Sequence, residues 1–465
     1  MARTAELSKV GQVKAAIRHR IDQRLLPPGA RVPSIRRMAE TMKVSHSTVV
    51  EAYDRLIAEG ILLSRPGSGF YVAAPLAPLS LAATVPDLDP QSDPLWVMRQ
   101  SLMDRPDVLR PGCGWLPDDW MPHDAIRKAL RTLARSRRTG TLLSYGTAQG
   151  SEELRTLLAR RMATLGIEAG PAQVMLTDSG TQAIDLVCRF LIEAGDTVMV
   201  DDPCYFNFHA LLRAHRAKVV GIPYTPTGPD IEAFSAALLE HRPRLYITNS
   251  AIHNPTGASI SAVTAHRILK LAEAHDLIIV EDDIFADFET EPAPRLAAFD
   301  GLERVIRIGS FSKTCSASIR CGHIAARPDW IAGLIDLQLA TSMTSNPTSA
   351  EVMLSVLTDG SYRHHVENLR TRLASAMHRT LRRLPEIGLT PWIEPRAGMF
   401  LWCKLPDGIE AADVTRRALE DNVILAPGNA FSLNQSAENY LRLNVAQMQN
   451  ERVFSALQRA IETVR

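Results

Sequence analysis

The chain has 465 residues, more than one hydrophobic core usually serves, and its 46% hydrophobic content suits two or three packed domains. A formal net charge of +1 hides an uneven division: residues 1–73 carry 12 Lys and Arg against 6 Asp and Glu, and the remainder 40 against 45. The six cysteines (Cys113, Cys188, Cys204, Cys315, Cys321 and Cys403) form no CxxC pair or compact cluster, which argues against a zinc site or a disulfide framework.

Along the chain, Val10, Val13, Ile17, Ile21 and Leu25 recur at helical spacing over 8–25, and Pro27-Pro28-Gly29 stops that helix. A second helix is expected from a Ser34 cap to about Met42. A third starts at Ser45 and buries Val49, Ala52, Tyr53, Leu56 and Ile57 before Gly60. Ile61-Leu62-Leu63, a turn at Pro66-Gly67-Ser68-Gly69 and Phe70-Tyr71-Val72 predict a short hairpin. Three helices and a hairpin, with a surplus of basic side chains, describe a winged helix-turn-helix at 1–73 suited to a phosphate backbone.

Residues 74–117 hold eight prolines (Pro75, Pro78, Pro86, Pro90, Pro94, Pro106, Pro111 and Pro117), and are expected to form an extended linker. From 118 to 465, short β-branched runs at 198–200, 245–248, 277–280 and 305–308 alternate with helical segments. That alternation predicts an α/β body with a largely parallel sheet covered on both faces. The body divides at about 345 into a large domain and a small one, the latter opening with a long helix from about 350 and carrying strands near 391–404 and 440–445. The N-terminus lacks the apolar run of a secretory signal, and no stretch of about 18 uncharged apolar residues follows, so a soluble protein is expected, and the scattered cysteines fit a reducing cytoplasm. His364 and His365, in a polar helical stretch, are expected at the surface rather than on a metal.

The segments Pro-Pro-Gly-Ala-Arg-Val-Pro-Ser-Ile-Arg-Arg-Met-Ala, Val-Ser-His-Ser-Thr-Val-Val-Glu-Ala-Tyr-Asp-Arg-Leu and Ser-Arg-Pro-Gly-Ser-Gly-Phe-Tyr-Val resemble the GntR family of bacterial regulators over roughly 8–73. The resemblance implies double-stranded DNA as a partner. It puts His46, Ser47 and Thr48, after Ser45, at base edges in the major groove. Arg31, Arg36 and Arg65 are implied at phosphates, or at the minor groove for the wing residue Arg65, beside Ser34, with Gly67 and Gly69 shaping the wing. The family often has Arg at the position of His46, so base preference here is expected to differ.

In the body, Gly-Ser-Phe-Ser-Lys-Thr-Cys-Ser-Ala-Ser-Ile-Arg (309–320) follows an apolar strand and sets one lysine in a small-residue loop with an arginine seven positions on. With Ser179-Gly180-Thr181-Gln182, Asn254-Pro255-Thr256-Gly257 and Glu281-Asp282-Asp283, it resembles fold-type I aminotransferases over 110–465. Head and body together resemble the MocR-type subgroup, in which a GntR head is fused to an aminotransferase-like body.

The resemblance implies pyridoxal 5'-phosphate, held as an imine on Lys313, with Asp282 at the pyridine nitrogen. Asp283 is expected to cap a helix or lie at the surface. Gly180, Thr181, Gln182, Ser310, Ser312 and Arg320 are implied at the phosphate, joined by Tyr145 from the partner chain of a homodimer. Tyr205, or else Phe206, is implied as the stacking aromatic, Asn254 at the phenolic oxygen, and Arg442 as the fork for a ligand carboxylate. Many relatives place a tyrosine two or three residues after the aspartate, where this chain has Ile284 and Phe285, and a Pro-Gly pair in the loop that here reads Cys-Ser-Ala-Ser-Ile-Arg. The expectation is a regulator that senses the cofactor or an amino compound, with any transamination slow; the competing reading is a working aminotransferase with an accessory DNA-binding head.

Overall fold

The computed structural model describes residues 8–22, 26, 29–73, 94–103, 105, 107–136 and 140–465, in two compact units that divide at Ser80 and Leu81. The first unit contains α1 (Lys9–Asp22), α2 (Ile35–Met42), α3 (His46–Ala58) and the antiparallel pair β1 (Leu62–Arg65) and β2 (Gly69–Val72). Ser34 and Ser45 cap α2 and α3 by accepting from the amides of Arg37 and Thr48, which satisfies donors that a helix start leaves open. Val13, Ile17, Met38, Val49, Tyr53, Leu56 and Leu62 fill one core, and the Tyr53 hydroxyl donates to the Pro33 carbonyl at 2.8 Å. The hairpin is longer than expected and its turn tighter. Arg65 pairs with Gly69, and Gly67 (φ +73°) and Gly69 (φ +107°) take left-handed conformations there.

The second unit opens with α4 (Pro94–Leu102), α5 (His123–Arg135), α6 (Gly140–Leu143), α7 (Glu152–Ala163), β3 (Val174–Thr177), α8 (Gly180–Leu191), β4 (Thr197–Asp202), α9 (Phe206–Ala214), β5 (Lys218–Thr225) and β6 (Gly228–Pro229). It continues with α10 (Ile231–His241), β7 (Leu245–Thr248), α11 (Ala262–Ala274), β8 (Ile278–Asp282), α12 (Leu296–Asp300), β9 (Val305–Ser310), β10 (Gly322–Ala325), α13 (Pro328–Ser342), α14 (Pro347–Thr358) and α15 (Ser361–Arg383). It closes with β11 (Thr390–Pro391), β12 (Phe400–Lys404), α16 (Ala411–Glu420), β13 (Ala426–Pro427), β14 (Tyr440–Asn444) and α17 (Glu451–Val464).

The large sheet runs β3-β10-β9-β8-β7-β4-β5-β6. Its centre is parallel as expected, whereas β10 lies antiparallel to both neighbours and β6 antiparallel to β5. On one face Val187, Phe208 and Leu334 from α8, α9 and α13 cover Val200, Ile306 and Ile308. On the other, α5, α7, α10, α11 and α14 cover Leu176, Ile279 and Val305. Burial on both faces explains why these strands read as continuous apolar runs. The small antiparallel sheet, β11-β12-β14-β13, is covered by α15, α16 and α17 through Leu373, Val414 and Leu457.

Two expectations are corrected. The proline-rich stretch contains a helix, α4, because residues 95–102 include no proline and Pro94 stands at the helix start, where a missing N–H costs least. Val108, Cys113 and Leu116 beyond it are buried. In turn α14, assigned to the small domain, contributes Ala350, Val352 and Met353 to the large domain's core. Among the described residues no helix is long and apolar enough to cross a membrane.

Candidate functional site

The carboxyl ends of β8 and β9, the start of α8 and the loop after β9 meet at one place, as parallel sheets favour. β9 leads into Lys313, whose Nζ donates to the Gly114 carbonyl at 2.7 Å. Burial, with help from the Arg442 and Arg320 charges, brings its pKa down to about 8. Asp282 ends β8, 4% exposed, and burial pushes its carboxyl up to about 7. Its Oδ1 is buried without a hydrogen-bond partner among the described residues.

Ser179 caps α8 through the Gln182 amide at 3.0 Å, leaving the amides of Gly180 and Thr181 without a partner among the described residues. A Cβ on Gly180 would stand 3.3 Å from Ile284 and 3.6 Å from Ser310, so the helix start lies against the tips of β8 and β9. Ser310 and Ser312 hydroxyls are 3.0 Å apart. Arg320 is exposed, with φ +56°, and makes a 3.5 Å contact to the Ala317 carbonyl. Gln182 is the exception in this group. Its backbone amide goes to Ser179 and its side-chain oxygen accepts from the Asp178 amide at 2.6 Å, so it supports the helix start rather than opening toward a ligand.

A small cavity beside Lys313 is lined by Cys113, Gly114, Tyr205, Asn254 and Arg442. The Arg442 guanidinium, 2% exposed, donates to Asn254 Oδ1 at 2.9 Å and the Gly112 carbonyl at 2.6 Å, and lies over the rings of Phe400 and Phe431. Its Nε has no partner among the described residues. Tyr205 and Phe206 both line the cavity, their ring centroids 5.0 Å apart. Phe206 is buried at 5% exposure and held edge-on by Phe431, whereas Tyr205 is half-buried.

Met98 and Ser101 of α4, together with Gly112, Trp115 and Phe400, also line the cavity. Sequence reasoning missed all five. The available signal was the run Gly-Cys-Gly, since a Cβ on Gly112 would meet the Leu425 backbone at 2.4 Å.

Tyr145 does not join this cavity. It is 77% exposed and close in sequence to Leu142 and Leu143, which are 50% and 83% exposed. In the first unit, His46 and Ser47 are exposed, and Thr48 is half-buried with its hydroxyl 2.7 Å from that of Ser45. Arg31 lies beside Gly69, Arg65 lies over the Tyr71 ring, and exposed Arg36 pairs with Glu40 at 3.2 Å.

Residues 116–459 match the aminotransferase class I and II family. This chain belongs to that family. Residues 9–72 of the same family member match the gntR family of bacterial regulatory proteins, and the fusion has the MocR-type architecture. The HTH-type transcriptional regulator YdcR of Escherichia coli K12 is 27% identical, with 97% of this chain and 98% of that protein covered. The HTH-type transcriptional regulator NorG of Staphylococcus aureus is 26% identical over 92% of this chain and 98% of its own. Among solved structures, LysN, the alpha-aminoadipate aminotransferase of Thermus thermophilus complexed with N-(5'-phosphopyridoxyl)-L-leucine, aligns with a TM-score of 0.72. It is 26% identical and covers 79% of this chain and 95% of its own.

In this class I and II member the site fits pyridoxal phosphate on three observations. A buried carboxylate oxygen lacks a donor, two helix-start amides lack an acceptor, and a lysine amine is shifted toward its neutral form. Asp283, expected at a cap or the surface, is instead buried: Arg295 and Arg307 both donate to it, and Arg295 also pairs with Glu289. A β-strand alternates faces, so the residue after Asp282 points across the sheet from it. The expected loss of a hydroxyl donor is visible too, with Ile284 against Gly180 and Phe285 packed on Phe288 and Phe400. His365, expected at the surface, is half-buried and bonds the Thr314 carbonyl at 2.8 Å.

Proposed function

We propose that this chain is a DNA-binding transcription regulator of the cytoplasm whose aminotransferase-like body binds pyridoxal phosphate on Lys313 and senses the cofactor or an amino compound. The observation that carries the reading is the joining of a GntR head to a body whose buried Asp282 Oδ1 lacks a donor beside a lysine of lowered pKa. When bound, the cofactor supplies an electrophilic aldehyde and an electron-withdrawing ring.

The chain's own residues do the rest. Lys313 offers a neutral amine, and Asp282 keeps a proton at the ring nitrogen. The Gly180 and Thr181 amides, Ser310, Ser312 and Arg320 offer donors and charge to the phosphate. Tyr205 stacks on the ring, Asn254 bonds the phenolic oxygen with its side-chain amide, and Arg442 grips the carboxylate of an amino-acid ligand. Phe285 and Ile284 exclude water without donating a proton, which disfavours fast proton transfer.

The head reads DNA with His46, Ser47 and Thr48 at base edges and Arg31, Arg36 and Arg65 at the backbone. The exposed apolar Leu142 and Leu143, near Tyr145, support a homodimer in which Tyr145 reaches the partner's phosphate. A second reading, a working aminotransferase with an accessory head, is favoured by the intact set of Lys313, Asp282 and Arg442.

The test is fluorescence anisotropy of the full chain on DNA from upstream of its own gene, at one salt concentration, with and without pyridoxal phosphate. Tighter binding than to a scrambled duplex, altered by the cofactor in the wild type and not in Lys313→Ala, is expected. Equal, weak binding to both duplexes together with steady amino-acid turnover would establish the enzyme reading instead.

A further inference from the structure

A second cavity, of about 450 Å³, lies on the face of the large sheet that α7 covers, opposite α8. Its volume falls in the range of small-molecule sites, roughly 300–1,000 Å³. Alternation along the strands divides each tip between the two faces. Asp282 and Ile308 face α8, whereas Asp283, Arg307, Gly309 and His323 face the second cavity. Ser310, at the end of β9, lines it as well.

The hydrogen bonds of this cavity leave donors over. Arg307 donates to Asp283 through Nε and Nη2, and its Nη1 lies 3.0 Å from His323 Nε2. A guanidinium can only donate, so Nε2 accepts, and the proton of the neutral ring sits on Nδ1. Burial and the Arg307 and Arg161 charges hold that ring neutral. Nδ1 is buried without a partner among the described residues, in a side chain 5% exposed. The ring sits so close over Gly309 that a Cβ there would meet Cε1 at 2.3 Å, which fixes the imidazole in place.

The carboxylates at the rim are already matched: Asp287 by Arg161 and the Tyr362 hydroxyl, Asp359 by Lys128, and Glu367 by Arg363. Arg370 is left over. It donates Nε to the Asp287 carbonyl at 2.9 Å, and its terminal nitrogens have no partner among the described residues. Leu158, Met162 and Val366 supply an apolar wall.

We propose that this cavity is a second ligand site, separate from the Arg442 pocket, for a small organic anion whose carboxylate or phosphate meets Arg370 and His323 while an apolar body lies on the α7 wall. The occupant acts on the first site through the shared strand tips, because Asp283 directly follows Asp282 at the end of β8 and β9 carries Ser310 beside Gly309. The proposal does not rest on the regulator reading, since occupancy of this cavity is independent of DNA binding.

Benzoate and phenyl phosphate are titrated calorimetrically into the full chain loaded with pyridoxal phosphate, and into its Arg442→Leu and Arg370→Met variants. Binding of at least one probe is expected to survive Arg442→Leu and to weaken about tenfold or more in Arg370→Met, the loss of a charged hydrogen bond. The preferred probe tells a carboxylate occupant from a phosphorylated one. Hydrogen exchange on the unmutated protein reads the same site without a variant, and added protection over 158–165 and 361–370 is expected. No binding of either probe, binding lost in Arg442→Leu alone, or protection confined to 440–444 would overturn the proposal.

Discussion

Lys313 and Asp282 are both driven by burial toward their neutral forms, one from 10.5 to about 8 and the other from 3.8 to about 7. The native cofactor-free protein therefore holds more protons than the unfolded chain between pH 4 and 7, on account of Asp282, and fewer between pH 8 and 10.5, on account of Lys313. The Asp282 contribution to stability falls as pH rises through the first window; that of Lys313 rises through the second. Urea melts of the cofactor-free protein at pH 5 and 7 should lose part of their difference in Asp282→Asn. Attachment of pyridoxal phosphate should accelerate with pH, reach half its maximum near 8 and level off above it, and Lys313→Ala should retain no cofactor through gel filtration. Lys313, Asp282, Asn254 and Arg442 each sit in a short run whose chemistry declares itself, and the fold brings Lys313, Asn254 and Arg442 to one cavity. The carbonyl that accepts the Lys313 hydrogen bond has no such local signal: Gly114 lies 199 positions away, and only tertiary folding brings it there. Gln182 was misplaced for a related reason, since a helix-start amide serves a ligand only if the cap has not already claimed it.

At the scale of elements, strand alternation decides more than strand position. Two adjacent aspartates stand at the tip of β8, yet one lies on the α8 face of the sheet with a carboxylate oxygen unpartnered among the described residues, and the other joins a buried network with Arg295, Arg307 and Glu289. Arg295→Met would leave buried Glu289 without its cation and Asp283 with Arg307 alone, and should cost about 3–5 kcal/mol in denaturant melts. The secondary structure of the head was legible almost entirely, since caps, apolar spacing and turn glycines are local signals. The antiparallel β10 was not, because strand direction depends on which edge the chain returns to. Helix α4 escaped because a proline count averages over a window in which the prolines flank a uniform helical run.

For the whole molecule, the domain sequence followed from composition and motif order, whereas assembly depends on surfaces that a sequence does not display. Leu143, 83% exposed, contributes little to the folded monomer. Leu143→Glu should shift sedimentation toward monomer and weaken cofactor retention, while leaving the thermal midpoint of the head unchanged. On DNA, Arg65→Ala should lower the salt slope of binding by about one unit, as expected when a single phosphate contact is lost. Met98 and Ser101 belong to α4, inside the proline-rich stretch, yet they line the cavity beside Lys313. Exchange of one head for another therefore has to leave residues 94–102 in place. A hybrid joined within residues 94–102 would inherit a foreign wall for that cavity, so under the proposed regulator reading a recombination point a few residues too late would change what is sensed as well as which DNA is read.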